Sequence, residues 1–296
     1  MAPMRRLFFM AGVLALVVGS AHAQDNQSST VSVLDFGATP LAQKTTANLR
    51  ERLRSTVELL VADPDLSRAA AKGIGYAGSL NLGVSEARDL GAALATDFYI
   101  LGDAQTLRRS SFAKPVYYES YCSIFVVSSR TGRLIMWDRP SFENDKASDA
   151  EERLAKELSH ETMYRTLIAI RRAREDEHNQ RTIVAPASEP VIAEAPDDET
   201  VAEVQGVRLP RPYARLRPEY PETAARAEAE GTVDVLVDVR ADGEVADVRV
   251  ARWAGFGLDE ITVATVRKMH FFPAMKNGTA IAMRVLLRYN FRKPPR

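Results

Sequence analysis

Two stretches near the end of the chain alternate with a period of two, and they constrain the fold more than anything else in the sequence. Val233, Val235, Val237 and Val239 interleave with Asp234 and Asp238, the pattern of a strand with one face buried and one face wet. Ile281, Met283, Val285, Leu287, Tyr289 and Phe291 repeat it, opposed by Ala282, Arg284, Leu286, Arg288 and Asn290. Ala-Asp-Gly-Glu at 241–244 is a hairpin turn signal, with Ala246, Val248 and Val250 as the apolar face of the returning strand. Tyr220-Pro221-Glu222-Thr223 predicts a helix start, because proline has no N–H to leave unpaired in a first turn and Glu222 suits the positive end of the dipole. Gly231 is expected to stop that helix. Leu258, Ile261, Thr262, Thr265, Val266 and Met269 make one stripe of a second helix, ended by Pro273, and Asn277-Gly278 supplies a second turn. The expected order is helix, strand, strand, helix, strand, with the helices layered on a small antiparallel sheet.

These pieces also resemble a known family. Pro-x-Tyr-Pro at 218–221, Gly-x-Val-x-Val at 231–235, Asp-Gly-x-Val at 242–245, Gly-x-x-Leu-Asp at 255–259 and Phe-x-Pro-Ala at 271–274 follow the order of the carboxy-terminal domain of TonB-family proteins. Each motif alone is weak; the set is specific, and it covers about a quarter of the chain. One local departure is Arg252-Trp253-Ala254, where small polar residues are common in the family.

The remainder reads as a second, mixed α/β layer domain, so the whole chain is expected to be α+β. Its 296 residues, 46% of them hydrophobic, allow two ordinary cores. Residues 30–37 read as a buried strand ended by glycine. Leu49, Leu53, Val57 and Leu60 are expected on one helical face, closed before Asp63-Pro64. Residues 85–95 suggest a short helix and residues 98–102 a strand. Residues 115–127 and 133–137 suggest a hairpin, and 149–174 a long helix. Val-Leu-Asp-Phe-Gly at 33–37 and Thr-Asp-Phe-Tyr-Ile-Leu-Gly-Asp at 96–103 resemble the amino-terminal domains of TolB and curli-secretion proteins. The expected division is 1–23 signal peptide, 24–174 α/β domain, 175–205 linker rich in Pro, Ala and acidic residues, and 206–296 TonB-like domain.

Residues 1–23 have the three parts of a secretory signal: Arg5-Arg6, an apolar run over 7–18, and Ala21-His22-Ala23 as a cleavage site. That predicts a periplasmic protein beginning near Gln24. A retained inner-membrane anchor is the alternative, although the apolar run falls short of the ~20 residues of a spanning helix. The linker could reach on the order of 100 Å at ~3.1 Å per residue, less than the longer spacers of TonB-like proteins.

Little in the sequence suggests catalysis. Lys+Arg and Asp+Glu both total 39, so overall charge gives no argument for nucleic acid. The single cysteine, Cys122, excludes an internal disulfide and a cysteine-based zinc cluster, and reads as a packed thiol. Gly73-Ile-Gly75-Tyr-Ala-Gly78 matches a dinucleotide fingerprint, but an alanine-rich helical tail precedes it instead of a strand. No cofactor and no metal are expected, His160 and His178 read as solvated, and His270 is expected to end the second carboxy-terminal helix.

What remains is recognition by backbone. The last strand should leave an edge of unpaired N–H and C=O groups, to which an extended peptide can add. The family resemblance implies that this peptide is the periplasmic segment of an outer-membrane transporter, with inner-membrane motor proteins as further partners if the chain is anchored. Arg284, Leu286, Arg288 and Asn290 would flank the peptide, and Pro210 and Tyr213 are a second contact region. The bland readings are a solvated sheet face, or an edge closed against a second copy in a homodimer. The rival reading of the whole chain is an envelope-assembly or secretion-associated scaffold that docks through its amino-terminal domain.

Overall fold

The computed structural model of the protein describes residues 28–182, 192–196 and 199–293. The expected signal peptide and cleavage site lie outside the described residues, as do residues 183–191 and 197–198 of the expected linker.

The chain begins with β1 (Ser29–Val33), α1 (Pro40–Arg54), β2 (Leu59–Val61), α2 (Pro64–Gly73) and α3 (Val84–Leu94). A long hairpin of β3 (Phe98–Arg109) and β4 (Tyr117–Ser128) follows, then β5 (Leu134–Asp138), β6 (Ser141–Asn144), α4 (Ala147–Ser159) and α5 (Glu161–Thr182). Short elements β7 (Ala193–Glu194), α6 (Glu199–Val204), β8 (Val207–Arg208) and β9 (Arg211–Pro212) come next. The last part holds α7 (Glu222–Ala227), β10 (Gly231–Val239), β11 (Val245–Arg252) and α8 (Leu258–Val266). It closes with β12 (Phe271–Phe272), β13 (Ala274–Lys276), β14 (Thr279–Ile281) and β15 (Met283–Phe291).

The amino-terminal part is an α/β domain whose sheet runs β2-β1-β3-β4-β5, with β6 on the far end of β4. β1 pairs parallel with β2 and β3, and the rest is antiparallel. Helices cover both faces, which explains why β3 and β4 carry apolar runs without alternation. On one face Val31, Val33, Ile100, Ile124 and Val126 meet Leu49 and Leu53 of α1, Leu154 of α4 and Met163 and Ile170 of α5. Cys122 is buried in that core, and burial pushes its thiol pKa up. On the other face Tyr99, Leu101, Phe125 and Val127 meet Ala71 of α2 and Ala87, Leu90 and Leu94 of α3.

Three local expectations need correction here. The first helix ends at Arg54, so Val57 is 93% exposed and Leu60 falls in β2. Asp63-Pro64 opens α2 instead of closing α1: the Asp63 carboxylate accepts hydrogen bonds from the Asp65 and Leu66 N–H groups, and proline sits in the first turn. The single helix expected over 149–174 is two, interrupted where His160 leaves helical geometry at φ −117° and ψ −82°. The second of these continues to Thr182, into the expected linker. Glu177 ties this polar extension to the β4–β5 turn by accepting from Ser128 Oγ and Arg130 Nε.

The carboxy-terminal part has the expected order of helix, strand, strand, helix, strand. β10 lies in the centre, antiparallel to β11 and to β15, which it pairs along its whole length from Gly231↔Phe291 to Val239↔Met283. The alternation in the sequence is realised: Val233, Val235, Val237, Val239, Met283, Val285, Tyr289 and Phe291 are buried with Leu258, Val266 and Met269. Asn277 and Gly278 both take positive φ in the β13–β14 turn, as an Asn-Gly hairpin requires. Two details differ. α7 ends before Gly231, at Glu228 in the left-handed region. A register shift between Asp238 and Val239 puts Val245, in place of Ala246, against the core.

The two parts meet at residues 252–256. Trp253, 1% exposed, inserts among the residues on the second face of the amino-terminal sheet and stacks on Phe125 at 5.9 Å. Its indole Nε1 donates to the Gly132 carbonyl at 3.1 Å, and its backbone N–H to the Leu82 carbonyl. Phe256 packs edge-on to Phe125 and tilts against Trp137. Helices α2 and α3 leave part of that face bare; two aromatic rings from the other end of the chain cover it.

Candidate functional site

The outer edge of β15 is the sheet edge named by the sequence, and its geometry follows from strand parity. The Arg284 carbonyl accepts from outside the sheet, so by the period of two Leu286, Arg288 and Asn290 also turn their main-chain groups toward that edge. Their side chains share the outer face of the sheet, away from the core.

That face is an ordered lattice of arginine and aspartate. Arg284 donates from Nε and Nη2 to the two carboxylate oxygens of Asp238, at 2.6 and 2.9 Å. Arg288 grips Asp234 in the same fork geometry at 2.7 and 2.9 Å. Arg249 also donates to Asp238 at 3.0 Å, and Arg252 stands 3.5 Å from Asp234. Asp234 and Asp238 are each 5% exposed, so the arginines provide the charge and donors these carboxylates need once out of water. The Arg284 guanidinium holds the Asp238 carboxyl below its usual range, more than offsetting burial. Asn290 interacts with Thr232 Oγ1 at 2.9 Å, and Leu286 lies 52% exposed between the two arginines. Arg284, Leu286, Arg288 and Asn290 thus form one row, with both arginines committed to β10. Pro210 and Tyr213 belong to a different place: Pro210 is buried beside β9, which pairs with β12, and Tyr213 packs on Phe272 at 4.3 Å with both rings half exposed.

The edge is partly taken up by the chain itself. β7 pairs with β15 in parallel, Ala193 beside Met283 and Glu194 beside Arg284, and the Ala195 N–H donates to the Arg284 carbonyl at 2.9 Å. Further along, Arg215 Nη2 donates to the Arg288 carbonyl at 2.9 Å, with its guanidinium 5.7 Å from the Tyr289 ring centre. Neither contact carries a local signal in the sequence, because each is set by where a distant segment crosses the strand.

The seam between the two parts fixes where this edge points. Asn81 donates from Nδ2 to the carbonyls of Thr232 and Trp253, and its Oδ1 accepts the Thr232 N–H. Arg252 donates to the Asn81 carbonyl and pairs with Glu86 at 3.1 Å. Asp259, the aspartate of the Gly-x-x-Leu-Asp motif, accepts from the backbone N–H groups of Ala254 and Gly255 at 2.8 Å each. Burial pushes its carboxyl up to about 7, although those two hydrogen bonds pull the other way. At Gly255, φ is +74° and a Cβ would sit 2.6 Å from Phe125, so only glycine lets the loop approach this closely.

Elsewhere, a groove of about 500 Å³ lies between β5 and α5, lined by Leu134, Met136, Ile168, Arg165, Arg172 and Glu177 among others, with no histidine or cysteine. Gly73 ends α2, and the segment to Gly78 leads through a further turn to α3 instead of joining a strand to a helix. His270 lies past the end of α8 and bridges to Glu244 Oε1 at 2.8 Å. Among the described residues no three His, Cys, Asp or Glu side chains cluster as metal ligands, and no helix is long and apolar enough to cross a membrane.

Three antiparallel strands in the order β11-β10-β15, with two helices on one face and a last strand whose edge is only partly covered by β7, define a small strand-presenting module. Residues 217–292 match the family described as Gram-negative bacterial TonB protein C-terminal, so this part of the chain is a TonB-type carboxy-terminal domain. No curated protein matches the chain. Among solved structures, the carboxy-terminal domain of TonB from Pseudomonas aeruginosa is similar at 21% identity, covering 36% of this chain and 98% of that one, with a TM-score of 0.27. The hypothetical protein CT253 from Chlamydia trachomatis is 13% identical over 46% of this chain and 96% of that one, TM-score 0.33. Lipoprotein GNA1162 from Neisseria meningitidis is 11% identical over 45% of this chain and 97% of that one, TM-score 0.33.

Proposed function

We propose that this is a non-enzymatic periplasmic envelope protein that binds an extended segment of a partner along the outer edge of β15. On this reading the partner is the periplasmic segment of an outer-membrane transporter. The observation that carries it is the edge itself, whose main-chain groups at Leu286 and Asn290 lie in the same row as those already bonded to chain segments at Arg284 and Arg288. An added strand gains affinity from main-chain hydrogen bonds and selectivity from the flanking side chains. Those side chains are Leu286, which is exposed, and Arg284 and Arg288, whose fork hydrogen bonds hold them in place.

The test is an NMR titration of the full chain with synthetic ten-residue peptides copied from periplasmic segments of outer-membrane transporters. The expected result is shifts concentrated at residues 284–290. Shifts confined to the amino-terminal domain would instead favour a scaffold that docks there. In favour of that second reading, the outer edge of β5 pairs with no strand among the described residues and lies beside the α5 groove.

A further inference from the structure

We infer that residues 193–195 are a resident strand that competes with any incoming peptide for β15, so that the binding edge is held closed at one end by the protein's own chain. This rests on the strand-addition reading above and adds to it an intramolecular competitor. The segment does what an added strand must do: it runs extended beside Met283 and Arg284 in a defined parallel register and donates the Ala195 N–H to the Arg284 carbonyl. Glu194 Oε1 lies 3.6 Å from Arg284 Nη1, an ion pair at the rim of the same arginine whose fork is engaged with Asp238. Ala195 packs on the hydrophobic core below.

The next elements along the chain keep the strand in reach. Ala202 of α6, 1% exposed, is buried in the same core, and Val207 of β8 beyond it is also buried. Being part of the same chain keeps the segment at a high effective concentration beside the edge, on the order of millimolar. The hold is nonetheless slight. Two residue pairs and an ion pair whose glutamate is 80% exposed make a strand that can be displaced. A longer incoming segment, pairing from 284 to 290, would outcompete two pairs, and its apparent affinity would be lowered by the fraction of time the resident strand is in place.

The test uses the full chain and its Ala195→Pro variant, which removes the donated N–H from a segment outside the folded sheets' central strands. Amide exchange followed by NMR should find the Ala195 N–H protected in the wild type at least tenfold over an open chain, with protection reduced in a Glu194→Arg variant. The same transporter-derived peptides should bind Ala195→Pro about fivefold more tightly, the equivalent of one net main-chain hydrogen bond. An Ala195 amide that exchanges at the open-chain rate overturns the inference while leaving peptide capture standing. Equal peptide affinity for the two chains, with Ala195 protected, overturns the competition. Silence from both chains, with Ala195 protected, overturns peptide capture and the competition that depends on it.

Discussion

Replacing Trp253 by alanine should separate the two parts of the molecule without dissolving either. The indole is 1% exposed, stacks on Phe125 at 5.9 Å and donates to the Gly132 carbonyl, so its removal takes away packing, a ring contact and a hydrogen bond together. Aromatic-to-alanine changes in cores cost ~3–5 kcal/mol, and that range already includes the cavity left behind. The stranded Gly132 carbonyl adds ~1 kcal/mol unless water reaches it. A loss of ~4–6 kcal/mol is a large part of the stability of an ordinary domain. It falls at the seam, because the carboxy-terminal core of Val233, Val235, Leu258 and Phe291 does not include Trp253. In urea unfolding, far-ultraviolet circular dichroism reads the secondary structure of the whole chain, and the fluorescence of Trp137, the other of the two tryptophans, reads its own surroundings in β5. Trp137 lies 5.6 Å from Phe256 and so reports on the seam. The wild type should show coincident transitions. The variant should show Trp137 changing at lower urea than the bulk of the secondary structure. Coincident transitions with an unchanged midpoint would refute the seam as the coupling element.

Three further outcomes rest on the same geometry. Asn81→Ala, which removes hydrogen bonds to Thr232 and Trp253, should cost roughly 2–3 kcal/mol and raise amide exchange at Thr232 and Trp253, measurable by exchange NMR. Arg284→Ala should destabilise the chain by ~2 kcal/mol and let the Asp238 carboxyl titrate at higher pH, which a carbon-detected NMR titration would follow. Asp238's own contribution is present above its unfolded value of 3.8 and lost as pH falls through its lower folded value, so the variant should lose that acid sensitivity. Asp259 has the opposite sign. Its folded value near 7 lies above the unfolded 3.8, so its contribution is whole below 3.8 and lost as pH rises through 7. The urea stability of the wild type relative to Asp259→Asn should therefore fall by ~4 kcal/mol between pH 4 and pH 8, and a flat difference would count against it.

Much of the carboxy-terminal domain is legible in the sequence because its signals are local. Alternation in 233–239 and 283–291 assigns each side chain to a face, and Asn277-Gly278 can close a hairpin through backbone preference alone. The row Arg284, Leu286, Arg288 and Asn290 is legible for the same reason. Local signals mislead where two rules compete: Asp63-Pro64 suits either side of a helix boundary, and only the Asp63 side-chain hydrogen bonds decide for α2. Val57 and Leu60 continue a helical stripe that the chain leaves at Ser55, because Leu59 and Leu60 pair with β1.

Residue order is enough to say which faces are buried, where the chain turns, and that Arg284 and Arg288 share one face of the last strand; that they meet Asp238 and Asp234 is set by the β10–β15 register. What those features meet depends on the closed fold. Arg252-Trp253-Ala254 departs from the family pattern, and the departure has its reason in Phe125, Gly132 and Leu82, more than a hundred residues away. Ala193 and Glu194 have no strand pattern of their own and become a strand only because β15 offers an edge beside them. Periodicity records the environment each residue prefers; which distant surface supplies that environment is settled only when the whole chain closes on itself.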